Sequence, residues 1–367
     1  MKVLMLADSL DIGGVESHIK TLASELNGHK VAENQTLDIV LASHGGKTAQ
    51  ALTDQGLKHF NLPSASHMLS VFYNLSRIIT SERPDIVHAH TRRTASLAFL
   101  PCKIYKIPLV VTAHAHFSMR FPKNLLSVWG DATIAISDDV KENVVRSCNL
   151  RNSNITIISN GVNIQEDRCL EYKDFKKIAF ISRLDKDCSL GADLLCEIAP
   201  KLYKKHPDIE IFIIGGGTER DRILQKCIKI NEEVGRNLIN SIGNVENTTD
   251  LLLNTSLFVG VSRAALEAMA CGLPVILLGN EGYMGLLSEK NLYLAEKTNF
   301  TCRNCGKIKS STVLFNDILN YFELSTNEKS KLSDLSKRII KKSHGSKKMA
   351  KETLSVYREC FWHFKNR

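Results

Sequence analysis

The chain has 367 residues, of which 43% are apolar, enough for two domains with buried cores. No apolar run approaches the roughly 18 residues that a membrane span needs, and the apolar stretch at the start is too short for a signal peptide. Ten scattered cysteines predict reduced thiols in a cytoplasmic protein rather than a disulfide scaffold, and the net charge of +9 suits an acidic partner.

The first half of the chain alternates apolar strands with helical stretches. Its strands are solid apolar runs, which is typical of a parallel sheet covered by helices on both faces. We therefore predict an α/β fold whose first domain, residues 1–165, is a doubly wound, Rossmann-like sheet. The predicted strands are 2–7, 36–42, 84–90, 109–114, 132–136 and 155–158, and the predicted helices are 14–26, 68–80 and 137–147.

The second half repeats this organisation after a polar stretch at 162–176, which predicts a domain boundary. We predict a second Rossmann-like domain over 170–345. The C-terminal segment, 349–367, contains a helix with apolar residues at helical spacing, namely Leu354, Tyr357, Phe361 and Phe364. The predicted strands of the second domain are 177–182, 209–214, 238–242, 257–261 and 275–278, and its first two helices are 191–204 and 219–231.

The strand-to-helix junction at residues 256–278 is the most informative segment. An apolar strand runs into Gly260, a turn follows at Ser262, and the next helix carries Glu267. The N-terminus of such a helix offers backbone N–H groups and the positive end of the helix dipole, which suits phosphate. Glu267 lies about one turn further in, where a carboxylate can accept from a pair of sugar hydroxyls.

Three other loops have the composition of ligand-binding turns. Gly13 and Gly14 open a helix directly after the first strand, where a tight turn lets backbone approach a ligand. Arg183 follows the first strand of the second domain, where its guanidinium can make charge-assisted contacts to phosphate. The glycine run 215–217 follows the next strand.

Several residues invite a metal interpretation, which we do not favour. Two histidine pairs lie near strand ends, but no carboxylate or cysteine at suitable spacing completes a site. Asp185-Lys-Asp187 lies in the Arg183 loop, and the lone pair Cys302 and Cys305, in an expected surface insertion, would need a second pair to hold zinc. We predict no metal and no cofactor. The four histidines are His88, His90, His114 and His116.

Together these motifs resemble the GT-B glycosyltransferases, in particular the large retaining family 4. The resemblance covers nearly the whole chain in separated motifs. It implies two Rossmann-like domains that face a cleft at the carboxyl ends of their strands, with the terminal helix packed on the first domain. It also implies transfer of a sugar from a nucleotide-diphosphate sugar, with UDP favoured, to a glycan or lipid-linked acceptor without a metal.

The resemblance assigns roles to individual residues. His114 is expected near the transferred sugar, Arg183 on the donor diphosphate and Glu267 on the ribose, and these three are the catalytic candidates. The acceptor side is expected to include His90, Arg93 and Glu16. The donor-binding candidates are Gly13, Gly14, Lys186, Gly216, Gly243, Asn244, Val245, Ser262, Arg263 and Ala264.

Two positions depart from the family pattern. The family usually has a lysine where this chain has Cys188, and a first glutamate where it has Val259. Part of the phosphate clamp and the usual contact to the donor sugar are thus missing or replaced, for example by Arg263. A catalytically weak or inactive nucleotide-sugar-binding scaffold subunit and a related nucleotide-sugar epimerase therefore stay open as alternatives.

Basic residues concentrate near the C-terminus. Residues 329–367 carry twelve Lys and Arg against three acidic residues, a surplus that equals the net charge of the whole chain. This stretch is either a solvated helix face or a surface that attracts an anionic membrane. It lacks a recognisable base-reading module, so we predict no nucleic acid partner. Glycolipid or cell-surface polysaccharide synthesis on the inner face of the plasma membrane is the expected setting.

Overall fold

The computed structural model describes residues 1–32, 35–63, 67–117, 128–148, 154–164, 175–245 and 247–366. The chain divides into two compact units: unit 1 comprises 1–161 and 346–367, and unit 2 comprises 162–345. The predicted boundary stretch, 162–176, lies largely outside the described residues. No helix among the described residues has the length and hydropathy needed to cross a membrane.

Unit 1 is built on a parallel sheet of seven strands, in the order β5-β4-β1-β6-β7-β8-β9. Its central strands are buried on both faces because their side chains are mostly apolar, with His88 of β6 and Thr112 of β7 as buried polar exceptions. The strands are β1 (Lys2–Leu6), β2 (Lys30–Ala32), β3 (Gln35–Thr36), β4 (Asp38–Ser43), β5 (Lys58–Asn61), β6 (Ile86–Ala89), β7 (Leu109–Ala113), β8 (Ala132–Ala135) and β9 (Ile155–Ile157), with β2 and β3 forming a separate hairpin.

Helices cover the sheet of unit 1, and the last helix of the chain is one of them. Met349, Leu354 and Tyr357 of this helix pack into the same core as β1 and the first helix. The helices of unit 1 are α1 (Gly14–Leu26), α2 (Lys47–Asp54), α3 (Met68–Glu82), α4 (Arg92–Tyr105), α5 (Asp138–Cys148) and α13 (Ser346–Lys365).

Unit 2 has a six-stranded sheet in the order β12-β11-β10-β13-β14-β15, parallel except for the antiparallel edge strand β15. Its strands are β10 (Lys177–Ile181), β11 (Glu210–Ile214), β12 (Ile239–Ile242), β13 (Leu257–Gly260), β14 (Val275–Gly279) and β15 (Gly282–Leu286). Its helices are α6 (Leu190–Lys205), α7 (Arg220–Val234), α8 (Thr249–Leu252), α9 (Ser262–Ala270), α10 (Leu292–Lys297), α11 (Ser311–Glu323) and α12 (Thr326–Ile339), followed by a π-helical turn (Ile340–His344).

The predicted α/β class with two parallel-dominated, doubly wound sheets is confirmed. The structure adds elements that the sequence patterns did not reveal, among them α2, α4, β5 and β15. The predicted strand 109–114 ends one residue earlier, because β7 ends at Ala113. His114 and His116 therefore both lie in the loop that follows the strand.

Candidate functional site

Each sheet has a topological switch point, where the order in which strands are added to the sheet reverses. Ligands of doubly wound sheets bind there, at the carboxyl ends of the strands. In unit 2 this point lies between β10 and β13, and in unit 1 between β1 and β6. The loops that follow these strands contain the residues singled out from the sequence. The chain order of the strands thus selects one edge in each unit.

The loop after β10 presents the guanidinium of Arg183, whose side chain is 61% exposed. Arg183 Nη1 lies 3.5 Å from Asp185 Oδ2, and its Nη2 donates to Cys188 Sγ at 3.7 Å. Asp185 in turn accepts from the backbone N–H of Thr218 at 2.9 Å, and this bond lowers the pKa of its carboxyl. Cys188, at the position where the resemblance led us to expect a lysine, therefore contacts the arginine itself, while Lys186 is exposed on the same loop.

The loop after β11 needs glycine for steric reasons. Gly215 and Gly217 have φ angles of 144° and 148°, which side-chain-bearing residues rarely adopt. A Cβ on Gly215 would lie 1.8 Å from the carbonyl oxygen of Ser182, so the two loops pack backbone against backbone. A Cβ on Gly216 would lie 2.8 Å from the side-chain nitrogen of Asn244. The structure thus brings two donor-binding candidates together beside the Arg183 loop.

The turn at the start of α9 has a strained residue. Ser262 has a φ of 58°, a left-handed conformation that is uncommon outside glycine and is often found at functional sites. Its N–H donates to the carbonyl of Phe300 at 2.8 Å, and the N–H of Ala265 donates to Val261 at 3.4 Å. The backbone N–H groups of Ser262 and Ala265 are therefore already hydrogen-bonded within the protein. The backbone N–H groups of this turn that are left to contact phosphate are those of Arg263 and Ala264.

Arg263 and Glu267 form an ion pair across one turn of α9. Arg263 Nε donates to Glu267 Oε1 at 3.1 Å, and the arginine side chain is only 11% exposed. Burial lowers the pKa of Arg263 despite the neighbouring carboxylate. The expectation that Arg263 replaces a contact to the donor sugar therefore gains no support, because its head group is engaged by Glu267. Val259 is fully buried in the core.

The remaining candidates of unit 2 have plain structural surroundings. Val245 packs against an apolar core cluster, and a Cβ on Gly243 would meet only ordinary contacts with Arg220. Cys302 is completely buried, and burial raises its pKa to about 12. The expected surface insertion is therefore wrong for Cys302, and burial also raises the pKa of the partly exposed Cys305.

The loop after β1 in unit 1 contains the predicted pair of glycines. Gly13 precedes α1, and a Cβ there would lie 2.3 Å from Oε2 of Glu16, so the glutamate folds back over the glycine. Gly14 begins the helix, and a Cβ on it would meet nothing within 4 Å. Arg93 is exposed at the start of α4 and lines a cavity of about 180 Å³ together with Asp8 and other residues of unit 1.

Four histidine rings cluster at the same edge of unit 1. The rings of His88 and His90 are 4.0 Å apart between centroids, and His90 Nδ1 lies 3.3 Å from His114 Nε2. The fourth ring is His18 of α1, 4.6 Å from His114, which the sequence patterns did not single out because it lies on a helix. His116 lies apart and pairs with Asp139 at 3.1 Å. The structure therefore places the two predicted site residues, His90 and His114, next to His18, which was not predicted.

Burial determines the protonation of this histidine cluster. His88 is completely buried, and desolvation together with His18 lowers its pKa to about 3. Burial and the surrounding rings hold the pKa of His90 well below its ordinary value. Both nitrogens of His88 are engaged, Nδ1 by Tyr357 of α13 at 2.6 Å and Nε2 by Thr112 at 2.7 Å. His88 therefore positions its neighbours rather than facing a ligand.

Two family models match most of the chain. The model described as glycosyltransferase family 4 matches residues 12–166, and the model described as glycosyl transferases group 1 matches residues 175–301. Together these matches contain nearly all of the candidate residues of both units.

The relatives agree with these matches. The chain is 30% identical over 314 residues to a phosphatidylinositol N-acetylglucosaminyltransferase subunit from Homo sapiens, a match that covers 78% of this chain. The chain spans 63% of the length of that human protein. A glycosyltransferase from Rickettsia africae is similar in structure, with a TM-score of 0.75 at 18% identity over 98% of both chains. HepE from Anabaena, solved with UDP and glucose, gives a TM-score of 0.74 at 17% identity over 98% of this chain and 99% of that chain. These structures share the GT-B fold.

Proposed function

The chain belongs to the glycosyltransferases of family 4 (glycosyl transferases group 1), and from this premise we propose that it transfers a sugar from a nucleotide-diphosphate sugar to a hydroxyl acceptor. We propose further that the transfer retains the configuration of the anomeric carbon and needs no metal. The observation that carries this proposal is the edge of unit 2 at which Arg183, the glycine turn and the start of α9 follow three adjacent strands.

The difficult step of such a transfer is departure of the nucleotide diphosphate from the anomeric carbon. Charge develops on the leaving phosphate, and Arg183 with backbone N–H groups of α9 would stabilise it in a preorganised way. The acceptor hydroxyl would attack from the side of the leaving group, and a phosphate oxygen would take its proton. Among the residues of unit 1, we assign His114 to the transferred sugar, and His90, Arg93 and Glu16 to the acceptor.

We propose UDP as the nucleotide and a lipid-linked molecule as the acceptor. HepE was solved with UDP and glucose, and the human relative's name joins N-acetylglucosaminyl transfer to phosphatidylinositol. The ribose of UDP would contact Glu267. Because one carboxylate oxygen already accepts from Arg263, the other is the one assigned to a ribose hydroxyl.

A thermal-shift screen with UDP-, GDP-, ADP- and TDP-sugars tests the donor assignment. A ligand that binds only the native state raises stability in proportion to the logarithm of its concentration over its dissociation constant. We expect a UDP-sugar to raise the melting temperature the most, and transfer to a lipid-linked acceptor to persist in EDTA. Absence of any nucleotide-dependent shift would contradict the donor site, and loss of activity in EDTA with rescue by manganese would contradict metal independence.

The second candidate is a non-catalytic subunit that binds a nucleotide sugar. It is favoured by Cys188, which stands in place of the lysine and contacts Arg183, and by the buried Val259. Slow hydrolysis of the bound donor by the purified protein would favour the enzyme. Tight nucleotide binding with neither hydrolysis nor transfer would favour the non-catalytic protein, and Cys188→Lys should then increase turnover if the missing cation is the cause.

A further inference from the structure

The sequence predicted no metal site because it did not single out His18, but from the structure we propose that His18, His90 and His114 of unit 1 form a binding site for one divalent transition-metal ion of the zinc class. The proposed sugar transfer does not require this ion, and an ion bound there would occupy nitrogens of His90 and His114 that the proposed function assigns to the acceptor and the sugar. Each ring offers one nitrogen, and these three nitrogens all lie within 4.8 Å of one another. Within the described ranges, no other set of three histidine, cysteine or carboxylate side chains meets that spacing. The site therefore depends on the packing of α1, which contributes His18, against the loops after β6 and β7, which contribute His90 and His114.

The geometry fits two nitrogens bound to one ion. His90 Nδ1 and His114 Nε2 are 3.3 Å apart. Two nitrogens held at about 2.0–2.1 Å by a tetrahedral zinc ion lie about 3.4 Å from each other. An ion can therefore replace the hydrogen bond between these rings with little movement. The donor set contains only imidazoles, which suit zinc, nickel or copper better than magnesium, calcium or manganese.

His90 is prepared for coordination by its burial. The ring of His90 is only 1% exposed, so bulk water does not compete with the cluster for its nitrogens. Its Nε2 is buried without a hydrogen-bond partner among the described residues, which is rare for a buried polar atom. Coordination through Nδ1 places the ring hydrogen on Nε2, and the lone pair that binds the ion is then the one on Nδ1, which faces His114 Nε2.

The neighbouring residues orient the other ligands. His18 Nδ1 lies 2.9 Å from the amide oxygen of Asn160, which can only accept, so the hydrogen is on Nδ1 and the lone pair is on Nε2. Such second partners fix the ring and tautomer of ligating histidines in metal proteins. The side chain of His114 is partly exposed, so an ion can reach the site from solvent on that side.

The test is calorimetric titration of Zn²⁺ into the full-length protein after treatment with chelator and desalting. We expect one ion to bind per chain and the affinity to fall at least tenfold in His114→Gln, in keeping with the loss of one ligand. His114 is the variant of choice because its ring is partly exposed, so the fold should survive. His18→Gln provides an independent second variant, and circular dichroism checks the folding of both.

Two matched controls separate this site from other ligands. His116→Gln removes a nearby ring that pairs with Asp139, and it should bind zinc as the wild type does. The double variant Cys302→Ser/Cys305→Ser should also bind normally, and Co²⁺ in the wild type should show no thiolate charge-transfer band. Unchanged zinc affinity in His114→Gln, no zinc binding by the wild type, or loss of binding only in the cysteine variant would each overturn the proposal.

Discussion

The sheet edges of the two units differ in charge and in burial. The edge of unit 2 presents an exposed guanidinium, a glycine turn and the start of a helix, whereas the edge of unit 1 presents buried imidazoles that stay neutral. A diphosphate needs charge and backbone donors, while a hydroxyl needs neutral groups that can donate and accept hydrogen bonds. Equivalent positions of two similar sheets have thus been given different chemistry.

We expect the largest effect on activity when the exposed guanidinium of Arg183 is removed from the sheet edge of unit 2. Arg183→Ala should cost about 2–4 kcal/mol of transition-state stabilisation, a loss of roughly 30- to 1,000-fold in kcat/KM, because one preorganised charge contact disappears. Steady-state transfer kinetics would measure it. Arg338→Ala, which removes another exposed arginine of unit 2, is the control and should leave kcat/KM unchanged. Turnover of Arg183→Ala at the wild-type level would refute the phosphate role.

The buried edge of unit 1 should make stability sensitive to acid. The pKa of His88 is about 3 in the folded protein and 6.5 in the unfolded chain, so acid protonates the unfolded chain first. Stability that is fully present above pH 6.5 is therefore lost as the pH falls toward 3, by about 1.4 kcal/mol per pH unit for this ring. Urea denaturation at several pH values would measure the slope.

His88→Gln should reduce that slope, since it removes the titrating ring. His363→Gln, which changes an exposed histidine of α13, serves as the control and should keep the wild-type slope. An equal slope in His88→Gln and the wild type would show that the acid sensitivity arises elsewhere.

The ion pair of α9 should connect nucleotide binding to stability. Glu267→Gln should weaken UDP binding and also lower the free energy of unfolding by about 1–3 kcal/mol, because the buried Arg263 loses its charged partner. Position in the sequence alone would suggest little effect on folding. The double variant Arg263→Met/Glu267→Gln should regain part of the stability but not the UDP affinity. Unchanged stability and UDP affinity in the single variant would contradict both roles.

The smallest effect concerns the basic surface near the C-terminus. Exposed charges are screened over about 8 Å at physiological salt, so binding to anionic liposomes should fall as salt rises. Each well-placed basic residue contributes about 1 kcal/mol. Neutralising Lys341, Lys342, Lys347 and Lys348, all exposed, should weaken sedimentation with the liposomes. If the protein does not bind anionic liposomes even at low salt, these basic residues form only a solvated helix face. The control replaces four exposed lysines of unit 2, namely Lys201, Lys204, Lys205 and Lys229.

The sequence predicted the sheets better than the helices that have small residues. Solid apolar runs located most strands within a residue or two, and the limits of α1 were predicted as the structure has them. Helix α4 was missed because its buried face consists of small residues, among them Ala95 and Ala98, and because it contains Pro101. Hydrophobic periodicity is weak where the packed residues are small.

The site was predictable in its loops but not in its contacts. The positions of Arg183 and His114 follow from where strands end, which the sequence indicates. The bond from Ser262 to Phe300 depends on a left-handed turn around residue 300, and the inclusion of His18 in the cluster depends on how α1 packs. These are long-range outcomes of tertiary packing that no local pattern contains.

The central claim is that the edge of unit 2 recognises a diphosphate through Arg183. Calorimetric titration of UDP and of uridine into the wild type and Arg183→Ala tests it most directly, because the two ligands differ only in the diphosphate. The account predicts that UDP binds far more tightly than uridine to the wild type, and that Arg183→Ala removes most of this difference. Equal affinities for UDP and uridine in the wild type, or a difference that Arg183→Ala leaves intact, would contradict it.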